Sequence, residues 1–390
     1  MRVLSIFGTR PDAIKMCPLV LEMKKHPEIE SLVCLSGQHR EMLRQVMDVF
    51  RITEDYNLSI MRSGQTLSDI LSKILLNLDP VLESAKPHIV LVHGDTSTAL
   101  AAALSAFNHH IPVGHVEAGL RTSDKHVPFP EEMNRRLIAQ IADYHFSPTL
   151  NSMRNLQREG ITQGVYVTGN TVIDAFQTTV KENYTFAADK LNAAVALDRK
   201  IILITVHRRE NWGQPLRGIC AAILRLAKMY PKLLFLYPVH LNPAVRETVF
   251  PILGRQENIW LLDPLDVSDM HNLLSRSYLV MTDSGGLQEE APAFGVPVLV
   301  LRTETERPEA VEAGTVRVVG VEEANIVREA MRLLDLQEAY SEMAHAVNPY
   351  GDGKASRRIV RHLIENKAGI EAGIYEGRNQ QAAGSPVGAV

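Results

Sequence analysis

Two short apolar runs that each end in a carboxylate constrain this chain more than any other feature. His88-Ile89-Val90-Leu91-Val92-His93-Gly94-Asp95 reads as a fully buried strand closing in a Gly-Asp turn. Ile111-Pro112-Val113-Gly114-His115-Val116-Glu117 repeats the pattern, and Pro128-Phe129-Pro130-Glu131-Glu132 then opens a helix. Apolar runs this short, separated by a helical segment over Thr96–Asn108, are what a parallel sheet produces. Ligands of such sheets bind beyond the carboxyl ends of the strands, where Asp95 and Glu117 fall. Three acids, Asp95, Glu117 and Glu131, are thus expected on one rim.

The rest of the chain continues the plan. Strands are expected at Val3–Phe7, Leu32–Leu35, Tyr144–Phe146 and Val165–Val167, with helices between them. Asn170–Arg199 is polar and helix-prone, and reads as a linker with a lead-in helix. At Lys200–His207 the alternation restarts, with strands expected at Leu233–Tyr237, Ile259–Leu262, Leu279–Thr282 and Val296–Leu299. Alternation of this kind implies doubly wound α/β domains with right-handed crossovers. An amphipathic helix follows from Ala355, and the tail from Ala368 onward, rich in Gly, Ala, Gln and Ser, is expected to be disordered.

Composition narrows the class. A net charge of −4 on 390 residues gives no reason to expect nucleic acid or an anionic membrane as partner. Cys17, Cys34 and Cys220 are odd in number and sit in apolar segments, so they read as buried thiols of a reducing compartment. No signal-peptide pattern follows Met1-Arg2, and no apolar run approaches the ~18 residues of a membrane span. The expectation is a soluble, cytoplasmic protein.

Several motifs fall at strand ends. Gly8-Thr9-Arg10-Pro11 lies between the first strand and first helix, where phosphates dock in nucleotide-binding folds; Arg10 and Lys15 would supply cationic contacts. The same tetrapeptide also reads as a solvated turn. Neither G-x-G-x-x-G nor a Walker pattern is present, which disfavours NAD binding and ATP hydrolysis. Thr282-Asp283-Ser284-Gly285-Gly286 ends a strand with two glycines before a helix, a ready anion site suited to a diphosphate; Glu290 lies further along that helix, placed to accept a ribose diol. A plain N-cap and tight turn is the competing reading. His207-Arg208-Arg209-Glu210-Asn211 mirrors Arg10 in the second half, and is either a phosphate or leaving-group contact or a surface salt-bridge cluster. Of the 14 histidines, His93 and His115 each precede a rim acid by two residues. No paired Cys/His or H-E-x-x-H spacing supports a metal there, and hydrogen-bonded structural roles are the better reading.

Taken together, Gly8–Pro11, Gln38-His39-Arg40-Glu41-Met42, His93–Thr96, Val116–Arg121, Phe129–Arg135, Gly169–Asp174, His207–Asn211, Asp283–Gly286, Glu304–Pro308 and Asn348–Gly353 form an ordered set. The chain resembles the non-hydrolysing UDP-N-acetylglucosamine 2-epimerases of bacteria over about residues 1–366. The resemblance implies two Rossmann-like domains in a glycosyltransferase-B-like fold with the active site in the interdomain cleft. It implies domains of 1–170 plus 354–367, with a returning C-terminal helix, and 171–353 as the UDP-binding domain. It also implies interconversion of UDP-GlcNAc and UDP-ManNAc for cell-surface polysaccharide synthesis, without redox cofactor or metal, through 2-acetamidoglucal and UDP, in a homodimer.

Asp95, Glu117, Glu131 and His207 correspond to the family's catalytic positions, with no individual role assigned among the acids. Arg10, Lys15, Ser284, Gly285, Gly286, Glu290 and Arg307 correspond to nucleotide-binding positions, and Leu265 and Met270 to the surroundings of the base. Some bacterial members bind a second UDP-GlcNAc through positions matching Gln38 and His39 and an arginine just before Gln65; here that position is Gly64. A glycosyltransferase of the same fold or a catalytically silent UDP-sugar sensor are the competing functions.

Overall fold

The computed structural model describes residues 1–37, 40–62 and 64–373. Contacts divide the chain into two units: Met1–Ala175 with the segment from Gly351 onward, and Phe176–Tyr350. The first crossing falls after Ala175 rather than at residue 170. Asp174, on the helix Thr171–Thr179, ties that helix to the first unit by accepting the backbone N–H of Ala355 at 3.1 Å and of Ser356 at 2.8 Å. Those two residues open the helix Ala355–Glu365, which packs on the helix Arg10–Met23 of the same unit.

The first unit is built on seven parallel strands: β1 (Arg2–Phe7), β2 (Glu30–Leu35), β3 (Tyr56–Asn57), β4 (Ile89–His93), β5 (Val113–Val116), β6 (Tyr144–Ser147) and β7 (Val165–Val167). Their order is β3-β2-β1-β4-β5-β6-β7. The second has six: β8 (Ile201–Thr205), β9 (Leu234–Pro238), β10 (Ile259–Leu262), β11 (Ser277–Thr282), β12 (Val298–Val300) and β13 (Val316–Val318), ordered β10-β9-β8-β11-β12-β13. Both are doubly wound parallel sheets, as expected. Strand order reverses between β1 and β4 in one and between β8 and β11 in the other, and the loops beyond these strands are where open α/β sheets hold ligands.

Burial explains why these segments become central strands. All of Ile89–His93 and Ile201–Thr205 is buried, because helices cover both faces. Leu4, Ile6, Val90 and Val92 pack with Ile74, Leu78, Ala102 and Ala106 in one core. Ile202, Ile204, Phe235 and Met281 pack with Ile219, Ile223 and Leu226 in the other. Cys17, Cys34 and Cys220 are free and buried, and burial pushes the Cys34 and Cys220 thiols up to about 12.

Other differences from expectation are local. β3 and β13 are two and three residues long, too short to stand out as periodic patterns. β12 begins at Val298 rather than Val296, since Pro297 has no N–H to donate to a ladder. Asn170–Arg199 holds two helices, Thr171–Thr179 and Asp189–Ala196. Residues 368–373, expected in a disordered tail, are helical and bury Ile370 completely. The rest of that tail lies outside the described residues.

Candidate active site

The first unit gathers its polar groups at the carboxyl ends of β1, β4 and β5. Gly8 leaves β1 so close to its neighbours that an added Cβ would lie 1.9 Å from Ser36 Oγ. Thr9 then caps the helix Arg10–Met23 in a reciprocal box with Asp12, and Arg10 is the first helical residue. One turn of this helix places Asp12 and Lys15 towards β4 and β5.

Glu117 follows β5 directly and adopts φ +66°, a left-handed conformation that costs a non-glycine residue about 1–2 kcal/mol. Strand alternation therefore stops at Val116. The Glu117 carboxylate is 8% exposed. Its Oε1 accepts from Lys15 Nζ and, at 2.9 Å, from Asn170 Nδ2. Its Oε2 lies 3.7 Å from His93 Nε2, and His93 Nδ1 lies 3.4 Å from Asp12 Oδ1.

Asp95 sits after the Gly94 turn with 25% of its side chain exposed. Burial pushes its carboxyl up to about 6; Arg135, at 3.5 Å, opposes this, while Glu117, Glu131 and Asp12 add to the rise. Arg135 belongs to the helix Glu131–Ile141 and is itself held at 2.9 Å by the fully buried Glu132. Asn134 of the same helix donates to the Asp95 carbonyl at 2.8 Å. Glu131, the first residue of that helix, is half-buried.

One rim thus carries a buried carboxylate bonded to an ammonium and an amide, and a second carboxyl driven towards its neutral form. Unequal environments of this kind prepare one group to take a proton and the other to give one.

His115 is a structural residue, as its spacing suggested. Its Nε2 meets the Gly94 carbonyl at 2.7 Å, and burial pulls it down to about 3, so it is neutral. Among the described residues no group of three or more His, Cys, Asp or Glu side chains is arranged to hold a metal ion.

The second unit gathers its groups beyond β8 and β11. Asp283 is fully buried and accepts the His207 N–H at 3.0 Å, the Arg208 N–H at 2.9 Å and Asn211 Nδ2 at 2.9 Å. This fixes the loop after β8 against the end of β11. The His207 ring is 41% exposed, lies 3.5 Å from Asp283 through Nδ1 and stacks on His240 with centroids 5.6 Å apart. Its partial burial, with His240 and Arg208, holds it below the usual histidine range against the pull of Asp283, so the imidazole is neutral at pH 7.

Ser284 precedes the short helix Gly285–Glu290. A Cβ at Gly285 would meet Arg208 Nη2 at 3.7 Å and Arg307 Nη2 at 3.8 Å, which sets two guanidinium groups beside a backbone that a ligand can approach closely. Burial alone would raise the Glu306 carboxyl nearby, but Arg208, Arg302 and Arg307 hold it below the usual range. Arg307 is anchored through Nε by the buried Glu289. Glu290 Oε2 lies 3.7 Å from His271 Nε2, and His271 Nδ1 meets Thr179 Oγ1 at 2.8 Å. Leu265 is buried just ahead of the helix Val267–Leu274, which carries the half-buried Met270.

Each expected residue of the first unit therefore lies at its rim, and each of the second around the Gly285 turn, Leu265 and Met270 on the neighbouring segment. Lys15, expected among nucleotide contacts, is bonded to Glu117. Gln38 and His39 lie outside the described residues. Sequence reasoning gave no role to Asp12, Asn170, Arg135 or His271, whose parts come from contacts between distant segments; Asn170 and Arg135 fall within the ordered segments of the resemblance, and Asp12 within a T-x-x-D capping pattern.

A family model described as UDP-N-acetylglucosamine 2-epimerase matches residues 21–364. The chain is 50% identical over 366 residues to the UDP-N-acetylglucosamine 2-epimerase of Bacillus subtilis, covering 93% of this chain and 95% of the relative. It is 50% identical over 378 residues to that of Escherichia coli K12, covering 95% and 100%. Its fold is similar to the solved UDP-GlcNAc 2-epimerase of Neisseria meningitidis bound to UDP-GlcNAc, with TM-score 0.84, 48% identity and coverage of 94% and 100%. The Methanocaldococcus jannaschii enzyme in complex with UDP-GlcNAc and UDP gives TM-score 0.77 at 32% identity, with coverage of 94% and 100%.

Proposed function

Because this chain belongs to the UDP-N-acetylglucosamine 2-epimerase family, we propose that it interconverts UDP-GlcNAc and UDP-ManNAc by elimination and re-addition of UDP. A carboxylate takes the proton from C2 of the sugar. The C2–H electron pair becomes a C1–C2 double bond, and the C1–O bond breaks to release UDP from 2-acetamidoglucal. Re-addition of UDP with protonation on the opposite face of C2 gives the other epimer.

The C2 proton is a poor acid, so its loss must be accompanied by departure of a stabilised diphosphate. The Ser284-Gly285-Gly286 backbone of the second unit supplies that stabilisation with Arg307, Arg208 and the neutral His207. Glu290 accepts the ribose hydroxyls, and Leu265 and Met270 border the base. Asp95, Glu117 and Glu131 exchange the protons. The observation that carries this reading is the pairing of unlike acids, Glu117 held by Lys15 and Asn170 and Asp95 pushed up to about 6.

The reading is tested by product analysis of wild type and four variants. UDP-GlcNAc should yield UDP-ManNAc, not free ManNAc. Asp95→Asn, Glu117→Gln, Glu131→Gln and His207→Ala should each lower kcat by about 10²-fold or more while the fold persists. Activity within about tenfold of wild type in every variant, a difference of about 1.4 kcal/mol, would overturn the assignment.

Among the described residues no helix is long and apolar enough to cross a membrane. We place the enzyme in the cytoplasm, as three free buried thiols favour. We also read it as a homodimer. The helices Leu67–Ala85, Ser97–Asn108 and Glu131–Ile141 pack side by side and expose Leu76, Phe107 and Leu137, at 74%, 60% and 43%, an apolar surface suited to a second copy.

A further inference from the structure

His93 is almost fully buried, with 3% of its side chain exposed, and both ring nitrogens face carboxylates. Neither makes a hydrogen bond of ordinary geometry. Asp12 Oδ1 is 3.4 Å from Nδ1 and Glu117 Oε2 is 3.7 Å from Nε2, and these carboxylates are only 6% and 8% exposed. The other charged groups near the ring are Lys15 on the Asp12 helix, Asp95 two residues on, and Arg135 beside Asp95. His115 of the adjacent strand is neutral and occupied by Gly94.

A neutral imidazole has one N–H and cannot donate to two carboxylates. Asp12 is committed as an acceptor, since its Oδ2 already receives the Thr9 N–H at 3.3 Å in the capping box. The Nδ1 proton therefore belongs on the Asp12 side. The gap between Nε2 and Glu117 Oε2 then needs one further proton, and its location sets the state of Glu117. With the proton on Nε2, Glu117 is a carboxylate able to accept; with the proton on Oε2, it is an acid able to donate.

We propose that His93, held by Asp12, is a positioning residue that accepts across the Nε2–Oε2 gap the proton Glu117 takes from C2, so restoring the carboxylate, and hands it back when the reaction runs in reverse. This rests on the epimerase reading, in which a reversible reaction must run proton transfer in both directions. No atom is gained or lost, because the same proton shuttles between the two groups. Hydrogen bonds of such sites tighten from their unliganded length when substrate binds.

Two measurements on the full-length enzyme test this. In ¹⁵N-histidine NMR of wild type, Glu117→Gln should shift the Nε2 resonance of His93 and Asp12→Asn its Nδ1 resonance, with neither needing turnover. His93→Gln, which keeps an amide near Glu117 but cannot carry the proton away from it, should lower kcat by about 10²-fold with KM within about threefold. His93 resonances indifferent to both substitutions would overturn the proposal, as would a His93→Gln enzyme with wild-type kcat. Coupled His93 resonances in an enzyme that leaves UDP-GlcNAc unchanged would uphold the Asp12–His93–Glu117 linkage and reject the epimerase reading instead.

Discussion

Asp95 shows how one buried carboxyl can cost stability at neutral pH. Its carboxyl is pushed up to about 6 in the folded chain, chiefly by burial, above the ordinary aspartate value of 3.8. Folding therefore favours the protonated form, and the contribution is fully present below about pH 4 and lost as pH rises through about 6. At pH 7 the ionised Asp95 costs on the order of 1–3 kcal/mol. Asp95→Asn should consequently raise the denaturation midpoint at pH 7 while lowering kcat by about 10²-fold or more, with little stability gain at pH 4. A variant no more stable than wild type at pH 7 would contradict the electrostatic account. Arg135→Met should push Asp95 higher still, seen as an upward shift of its carboxyl titration by ¹³C NMR.

At the scale of elements, the loop after β8 and the end of β11 act as one piece because Asp283 joins them. Asp283→Ala strands two backbone N–H groups now bonded to it and leaves the Asn211 amide with only the Leu301 carbonyl. The expected loss is about 3 kcal/mol in urea denaturation, with His207 mislaid; a loss under about 0.5 kcal/mol would show the junction to be unimportant.

The elements themselves were largely legible from sequence. Ile89–His93 and Ile201–Thr205 announce themselves because strands buried on both faces must be continuously apolar. The acids at their ends follow from the same logic. What could not be read is contact between segments far apart in the chain. Asn170 reaches Glu117 across 53 positions and Lys15 across 102. No local pattern encodes such a pairing. His93 was visible as a strand-end histidine, yet alternation placed it with Asp95, whereas the left-handed turn at Glu117 brings that carboxylate back to the imidazole. Ile370 was hidden by its small and polar neighbours, although its burial carries the C-terminal helical residues onto the first unit.

For the whole molecule, the proposed reaction assigns proton exchange to groups of the first unit and anion stabilisation to groups of the second. Assembly is expected to use the apolar helices of the first unit. Phe107→Glu should move the protein from dimer to monomer mass in sedimentation experiments at micromolar concentration, and an unchanged dimer would place the interface elsewhere. The central claim is that epimerisation proceeds by removal of the C2 proton with loss of UDP. Turnover of UDP-GlcNAc in deuterated water tests it most directly. The account predicts UDP-ManNAc as product with deuterium at C2 of both sugars at equilibrium; epimerisation with the original C2 hydrogen retained would contradict it.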